Sequence, residues 1–320
     1  MIPRRVLIVG AGVLGHRHYA AILAAGDQVT AVVDPLISRA EILAPGAQSF
    51  IALEDAMKQN DLFDVAVIAS PSRDHFLQIQ LLAMNGYAVL VEKPHRIPGQ
   101  NFSKGKWGLE YLEKVFVGMS TRHWPGVIEL GSAISSGELG KILSYSDRVS
   151  FTLEEGSLPP WYFSREISGG GILLTNGVHA IDRARTLLKS DLVLTSAQLT
   201  KMYASHECED SAEIRFTTKG NVAVDISLSW LPYEPIGTGI TVVGTQGSAQ
   251  IAMNGGWNIT TIKETRSGGA IDIDVLPFQK QWSAFLAEMP GFRLSDLEPT
   301  LNQIESIYHE NSIDTTSTPA

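Results

Sequence analysis

The chain has 320 residues, of which 44% are hydrophobic and 18% are charged, and its formal net charge is −9. This composition is typical of a globular protein with enough length for two domains. The negative charge argues against nucleic acid and against an anionic membrane surface as partners, because both require a basic protein face.

Cys208 is the single cysteine, so no internal disulfide can form, as is usual in a reducing compartment. No apolar stretch typical of a signal peptide precedes the first predicted strand. No apolar run reaches the roughly 20 residues that a membrane-spanning helix needs. We therefore expect a cytoplasmic protein.

Residues 1–118 alternate predicted strands and helices. Repeated β–α units with short connections predict a doubly wound parallel sheet, with helices on both faces and ligands beyond the carboxyl ends of its strands. The strands are predicted at 6–9, 29–33, 64–69, 87–91 and 115–117, and the helices at 18–25, 51–60 and 76–85.

The first predicted strand runs directly into Gly10, Gly12 and Gly15, which form a G-x-G-x-x-G motif at the start of a helix. The first glycine permits a tight turn, the second lets the backbone approach a pyrophosphate, and the third lets helix and strand pack closely. The helix N-terminus then presents backbone N–H groups to the phosphates. We expect Val13 and Leu14 to line the same site.

Asp34 ends the second predicted strand. A carboxylate at this distance from the glycine motif accepts hydrogen bonds from the hydroxyls of an adenosine ribose and repels a 2′-phosphate. The combination predicts a bound dinucleotide, with NAD favoured. NADP remains possible, because Arg39 is near enough in sequence to receive the additional phosphate.

Residues 119–320 have a different texture, and we place the domain boundary at Gly118. Helical and strand-like segments are grouped here, which predicts an α+β domain with a mainly antiparallel sheet. The helices are predicted at 125–135, 171–188 and 297–308, and the strands at 211–217, 222–230, 239–243 and 248–253.

Six short motifs occur in a fixed order along the chain: residues 10–15, 69–75, 91–94, 137–141, 169–182 and 243–248. Together they resemble the Gfo/Idh/MocA oxidoreductases, which include glucose–fructose oxidoreductase and inositol dehydrogenase. The resemblance implies an N-terminal NAD(P)-binding Rossmann domain and a C-terminal α+β substrate domain. It also implies that the open face of the second sheet joins subunits into a homodimer or homotetramer.

Several polar residues follow the predicted strands of the first domain. Ser70 and Pro71 are expected to lie beneath the nicotinamide ribose, and His75 and Glu92 to contact the cofactor. Lys93 follows Glu92 at the end of a buried strand, where its ammonium group could bind the reacting oxygen and lower the pKa of an alcohol. Lys93 could instead form a structural pair with Glu92, but the resemblance implies that it lines the active site.

His179 lies on the helix after the triple glycine, and the resemblance implies that it is an acid/base or a substrate ligand. Members of the family usually carry an aspartate four residues earlier, where this chain has Thr175, followed by Asn176. A hydroxyl can bind substrate but cannot hold a negative charge. Either His179 and Lys93 handle the proton, or Thr175 and Asn176 bind a substrate unlike the common polyol. Asp182 could orient the His179 ring or anchor the helix.

Arg122, Tyr162 and Arg165 are further predicted substrate contacts, because arginines bind carboxylates and aromatic rings stack on sugars. They favour an anionic substrate such as a sugar acid. We expect no metal site.

The sequence therefore predicts an NAD(P)-dependent dehydrogenase that acts on a hydroxyl carbon of a sugar, polyol or sugar acid. One alternative is an isomerase or glycosidase that uses tightly bound NAD in a closed redox cycle. Another is a non-catalytic dinucleotide- or sugar-sensing regulator, which the substitution at Thr175 would suit.

Overall fold

The structure is a computed structural model that describes residues 2–102, 109–153, 158–203, 205–231, 233 and 235–311. The helices are α1 (Val13–Ala24), α2 (Ile37–Leu43), α3 (Leu53–Met57), α4 (Ser72–Met84), α5 (Pro125–Ser135), α6 (Arg165–Ser168), α7 (Val178–Leu188), α8 (Leu276–Leu286) and α9 (Leu294–Glu310). No helix within these residues is both long enough and apolar enough to cross a bilayer.

The strands are β1 (Arg5–Val9), β2 (Gln28–Val33), β3 (Gln48–Phe50), β4 (Val65–Ile68), β5 (Ala88–Glu92), β6 (Val115–Gly118), β7 (Ile142–Thr152), β8 (Leu192–Thr200), β9 (Ser211–Thr218), β10 (Ala223–Leu231), β11 (Gly239–Gly244), β12 (Gly247–Ile251), β13 (Trp257–Thr261) and β14 (Thr265–Gly268).

The chain divides into two compact units. The first contains Met1–Ser120 and Asp274–Pro299, and the second contains Thr121–Ile273 and Thr300–Ala320. The division expected from the sequence, at Gly118, therefore differs in one respect: a late segment of the chain packs with the first unit. Helix α9 contributes its beginning to the first unit and the rest to the second.

In the described part of the first unit, six parallel strands form a sheet in the order β3-β2-β1-β4-β5-β6. The order reverses between β1 and β4, where Val9 pairs with Ile68, so the carboxyl ends of these two strands are level. This is the strand order of a dinucleotide-binding sheet. The predicted doubly wound parallel sheet is confirmed.

The first helix begins earlier than the sequence pattern indicated. The predicted helix started at residue 18, whereas α1 starts at Val13, directly after the glycine motif. The short elements α2 and β3 were not predicted, because each is too brief to show a hydrophobic period.

Helix α8 explains why the segment after Asp274 belongs to the first unit. The Trp282 ring is fully buried, and its Nε1–H donates to Asp27 Oδ2 at 2.9 Å. Phe278 packs edge-on against the His18 ring of α1 at a centroid distance of 5.2 Å. These long-range contacts leave no local signature in the sequence.

The described strands of the second unit form an eight-stranded sheet in the order β14-β13-β12-β11-β7-β10-β9-β8. All neighbours are antiparallel except β7 and β10. Along β10 every second residue is buried, ending with Trp230, while Ala223 and Asp225 on the opposite face are exposed. The predicted α+β unit with a mainly antiparallel sheet is confirmed. Helices α5 and α7 and the later part of α9 pack on the buried face.

Trp282→Ala should destabilise the first unit, because it removes a fully buried ring. We expect the free energy of unfolding to fall by about 3 to 5 kcal/mol. Trp282→Phe keeps most of the apolar contact but leaves Asp27 without its donor, so a loss of about 1 to 2 kcal/mol is expected. Urea unfolding followed by circular dichroism measures both. Wild-type stability in the alanine variant would contradict the packing of α8 described above.

Candidate active site

The glycine motif of the first unit has a steric role at each position. Gly10 has φ +100°, and a Cβ there would lie 2.6 Å from backbone atoms of Ala69. A Cβ on Gly15 would collide with the Gly10 carbonyl oxygen. Gly12 differs, since a Cβ there would meet no atom within 4 Å. The packing of the chain itself therefore does not require a glycine at this position. A ligand that closely approaches the backbone here would require one.

The N-terminus of α1 is open to an anion. Gly12 is the N-cap and no side chain caps the helix, while its first turn contains no acidic residue. Val13, in this turn, is 70% exposed. Leu14 is half-buried and packs against the core, so it supports the helix. This open helix start at Gly12, here called the cradle, is of the kind that binds phosphate groups through backbone N–H groups and the helix dipole.

Asp34 lies against the glycine motif. Its Oδ2 accepts a hydrogen bond from the Ala11 backbone N–H, and its Oδ1 accepts one from the Leu36 N–H, each at 2.9 Å. The carboxylate is 6% exposed and is held in one orientation beside the cradle. This placement suits recognition of ribose hydroxyls.

His75 connects the loops that follow β4 and β5. Its two ring nitrogens lie 2.7 Å from the Pro94 carbonyl oxygen and 2.8 Å from the Ser70 carbonyl oxygen. The side chain is 1% exposed, and this burial lowers its pKa. The His75 ring thus lies between the backbone of two loops, and its contact with the cofactor stays a prediction. Ser70 donates its hydroxyl hydrogen to Gln78 Oε1 at 2.6 Å, and Pro71 precedes α4.

Glu92 has partners within the protein on both of its carboxylate oxygens. Its carboxylate is buried, with Oε1 2.8 Å from His18 Nε2, and Oε2 accepts from the Lys93 backbone N–H at 3.3 Å. Burial acts to raise the pKa of Glu92, but the His18 hydrogen bond and the Lys93 charge hold it below its ordinary value. Glu92 thus supports the backbone that carries Lys93, and its direct contact with the cofactor stays a prediction.

The loop after Lys93 is held by a carboxylate that the sequence analysis missed. Glu298 accepts hydrogen bonds from Arg96 Nε at 3.1 Å and Arg96 Nη2 at 3.0 Å, and lies 3.0 Å from His95 Nε2. Both basic side chains are at most 4% exposed. Burial acts to raise the pKa of Glu298, but its two basic partners lower it to about 2. Lys93 itself is half-buried.

In the second unit, the triple glycine is required by close contacts. Gly169 ends α6 with φ +83°. A Cβ on Gly170 would collide with the Tyr308 hydroxyl, and one on Gly171 would collide with the backbone of Glu209. No side chain fits at the latter two positions, so the turn before α7 is fixed against both neighbours.

Glu209 is a second carboxylate that the sequence analysis missed. It is 3% exposed, and its Oε1 accepts from the backbone N–H groups of Gly171 and Leu173 at 3.0 and 3.1 Å and from the Tyr308 hydroxyl at 2.7 Å. Burial raises its pKa despite these donors. Glu209 therefore anchors the start of the segment that leads to His179.

This segment, Leu173–Gly177, is a π-helical turn, an irregularity that is frequent at functional sites. Thr175 is 3% exposed, and its hydroxyl donates to the Gly171 carbonyl at 2.8 Å. Every residue from 171 to 184 is described, and all are buried except Asn176 and His179. The Thr175 hydroxyl therefore bonds to the helix backbone, and its catalytic or substrate contact stays a prediction.

Arg122 and Asp182 form a bidentate ion pair, with Nε to Oδ2 at 2.7 Å and Nη2 to Oδ1 at 2.5 Å. The pair anchors α7, and the substrate role of Arg122 stays a prediction. Thr121 Oγ1 lies 3.4 Å from His179 Nδ1.

Tyr162 and Arg165 lie on neighbouring elements of the second unit. Tyr162 is half-buried and packs against Trp161 and Trp230, at centroid distances of 5.0 and 6.0 Å. The Arg165 backbone N–H donates to the Glu207 carboxylate at 2.8 Å. Its Nη1 is buried and has no hydrogen-bond partner among the described residues. No group of three or more potential metal ligands occurs in the described ranges.

Residues 4–103 match the sequence model of an oxidoreductase family with an NAD-binding Rossmann fold, and residues 127–250 match the GFO/IDH/MocA C-terminal domain. The chain belongs to the Gfo/Idh/MocA family. The predicted family, the enzyme class and the NAD cofactor are confirmed: the first unit is the NAD-binding domain of an oxidoreductase.

Named relatives cover different shares of the chain. The scyllo-inositol 2-dehydrogenase (NAD(+)) of Bacillus subtilis is 26% identical over 96% of this chain and 93% of its own length. The D-glucoside 3-dehydrogenase of Escherichia coli is 27% identical over 58% of this chain and 54% of its own length. An oxidoreductase from Agrobacterium radiobacter, solved with NAD+, L-tartaric acid and magnesium, has a TM-score of 0.79. It covers 97% of this chain and 96% of its own, and at 17% identity it supports the fold alone.

Glu298→Gln should destabilise the protein in a pH-dependent way. Because the pKa falls from 4.5 to about 2 on folding, the ionised carboxylate stabilises the fold above pH 4.5, and this contribution is lost as the pH falls towards 2. We expect a loss of about 2 kcal/mol at pH 7, and a narrowing gap between variant and wild type below pH 4.5. Urea midpoints at several pH values measure this gap.

Glu138→Gln is the matched control, since Glu138 pairs with Arg266 at a more exposed position. Its effect should be much smaller at every pH. An equal effect of the two substitutions would contradict the anchoring role of Glu298.

Proposed function

We propose that this protein is a dehydrogenase that transfers a hydride from a hydroxyl-bearing carbon of a polyol, sugar or sugar acid to NAD. The observation that carries the proposal is the cradle at Gly12, where the open N-terminus of α1 faces space beside the fixed Asp34 carboxylate. The named relatives are dehydrogenases of scyllo-inositol and of D-glucosides, which favours this reaction over a closed redox cycle or a sensor.

The reaction breaks one C–H and one O–H bond and forms a carbonyl. When bound, NAD supplies the hydride acceptor, and the remaining proton must leave the hydroxyl oxygen. We assign Lys93 to the reacting oxygen, where its ammonium group stabilises developing negative charge. We assign the proton to His179, a half-buried imidazole, because histidine is the side chain that most readily takes up and releases a proton near neutral pH.

Residues around these two groups fix their positions. Glu92 and His75 bind the backbone on either side of Lys93, and Glu298 binds the following basic pair. Glu209 anchors the turn before His179. Rigid positioning of this kind is what proximity catalysis requires. Substrate contacts are assigned to Tyr162, Arg165 and Asn176.

A homodimer or homotetramer in the cytoplasm remains a prediction. The sheet of the second unit supports self-association, because the face opposite its core carries small polar residues such as Ser227 and Ser229 on β10. Light scattering coupled to size-exclusion chromatography measures the subunit number. A monomer at micromolar concentration would contradict the predicted assembly.

Lys93→Met should abolish turnover while leaving NAD binding intact, because it removes the ammonium group without touching the glycine cradle. We expect kcat/KM to fall by at least about 100-fold. NADH formation at 340 nm across a panel of inositols, glucosides and sugar acids measures turnover, and calorimetry measures NAD affinity. Lys58→Met on the exposed surface of the first unit is the control. Undiminished turnover would overturn the assignment of Lys93.

Asp34→Ala should weaken NAD binding more than NADP binding. The substitution removes the acceptor for the ribose hydroxyls and also the negative charge that repels a 2′-phosphate. Calorimetric titration with each dinucleotide gives the ratio of the two dissociation constants. Equal weakening of both would show that Asp34 does not set the preference.

A further inference from the structure

The side-chain amide of Asn176 has a defined orientation. Trp230 Nε1 lies 3.3 Å from Asn176 Oδ1. An indole N–H can only donate, so the oxygen of the amide, and not its NH₂ group, must face Trp230. The Thr175 hydroxyl lies 3.2 Å from the same oxygen while it donates mainly to Gly171. The Nδ2–H₂ group is therefore turned away from both neighbours.

Trp230 is a rigid partner for this amide. It is 2% exposed and lies on β10 within the sheet of the second unit. Phe163 packs perpendicular to it at 5.6 Å, and Tyr162 lies at 6.0 Å. Because reorienting the indole would disrupt this aromatic packing, the direction of the Asn176 amide is fixed before any ligand binds.

Asn176 shares a side of its helix with His179. The two are three residues apart and are the half-buried positions in a segment where the other residues from 171 to 184 are buried. Asn176 lies in the π-helical turn and His179 lies in the first turn of α7, directly after it. The amide of Asn176 and the imidazole assigned to the proton are thus the partly exposed polar groups of one short segment.

Most carboxylate oxygens around this turn already accept hydrogen bonds, although within the described residues Glu209 Oε2 is buried without a hydrogen-bond partner. The buried carboxylate of Asp182 accepts a hydrogen bond from Arg122. That of Asp210 accepts from His206 and from backbone N–H groups. That of Glu209 accepts from backbone N–H groups and from the Tyr308 hydroxyl. Within the described residues, Arg165 Nη1 is a buried donor with no hydrogen-bond partner. The Arg165 Nη1 donor and the outward-facing Nδ2 group of Asn176 both suit a substrate group that accepts hydrogen bonds.

We propose that Asn176 determines specificity by donating a hydrogen bond from Nδ2 to a substrate oxygen that carries no proton, the carboxylate of a sugar acid. The proposal rests on the proposed dehydrogenase function. Thr175 and Trp230 then act as positioning residues. Thr175, which occupies the family's aspartate position, thus has a role that needs neither a charge nor a proton transfer.

Asn176→Asp tests the proposal with almost no change in shape. It replaces the donor with an acceptor and adds a negative charge, while Trp230 keeps its partner. For sugar acids we expect kcat/KM to fall by about 100-fold, mostly through KM. For neutral sugars of the same configuration we expect a change below about 3-fold. The ratio of the two values is the readout, measured by NADH formation with NAD affinity monitored in parallel.

Asn258→Asp on the exposed side of β13 is the matched control, because it adds the same charge to the same unit. If thermal unfolding shows that N176D is poorly folded, Asn176→Ser is the second variant. Its side chain is too short to donate to the same substrate oxygen, so it should lower the same ratio. An unchanged or raised ratio in either variant overturns the proposal.

Wild-type substrate preference separates this proposal from the proposed function. Oxidation of sugar acids in preference to their neutral counterparts supports the role of Asn176. Oxidation of neutral compounds alone overturns that role and leaves the dehydrogenase intact. A failure to oxidise any compound of either class, with NAD bound, overturns the proposed function and this inference together.

Discussion

Backbone contacts too close for any side chain are the constraint on which both units depend. Gly10 and Gly15 let the first loop pack against its neighbours, which brings the start of α1 to the carboxyl ends of the strands. Gly170 and Gly171 let the turn before α7 pack against Tyr308 and Glu209 in the same way. In each case the absence of side chains fixes where a helix begins. The helix fixed in this way in the second unit carries His179. Gly12 is the exception, since its surroundings inside the protein would accept a side chain.

The part of the fold that the sequence could predict depends on local patterns of residues. The glycine motif, the strand that ends at Asp34 and the alternation along β10 each depend on neighbouring residues, whose spacing reflects helix or strand geometry. Helix α8 and the carboxylate of Glu298 could not be found in this way. Glu298 binds Arg96, which lies 202 positions earlier in the chain. No local sequence pattern distinguishes Glu298 from the other acidic residues of the chain. Which residues form such pairs depends on how distant parts of the chain come together in the fold.

Side-chain direction was the second limit of the sequence. His75, Glu92 and Arg122 were all assigned to ligands because their residue types can bind cofactor or substrate. In the structure their polar atoms also have partners within the protein, namely backbone groups, His18 and Asp182. A buried polar group must be hydrogen-bonded, and a partner supplied by the protein serves as well as a ligand does. Motif residues therefore include both groups that touch ligands and groups that hold the former in place.

The hydroxyl at Thr175 is a consistent part of the turn that contains it. Its hydrogen bond runs to the Gly171 carbonyl oxygen, which can only accept. A carboxylate in this conformation would face that carbonyl without a hydrogen to share. It would also add a second buried negative group near Glu209, whose pKa burial already raises. Charge is thus disfavoured at this position for reasons internal to the unit. The polar group that remains partly exposed beside His179 is the neutral amide of Asn176, so the chemistry of this face is that of a donor.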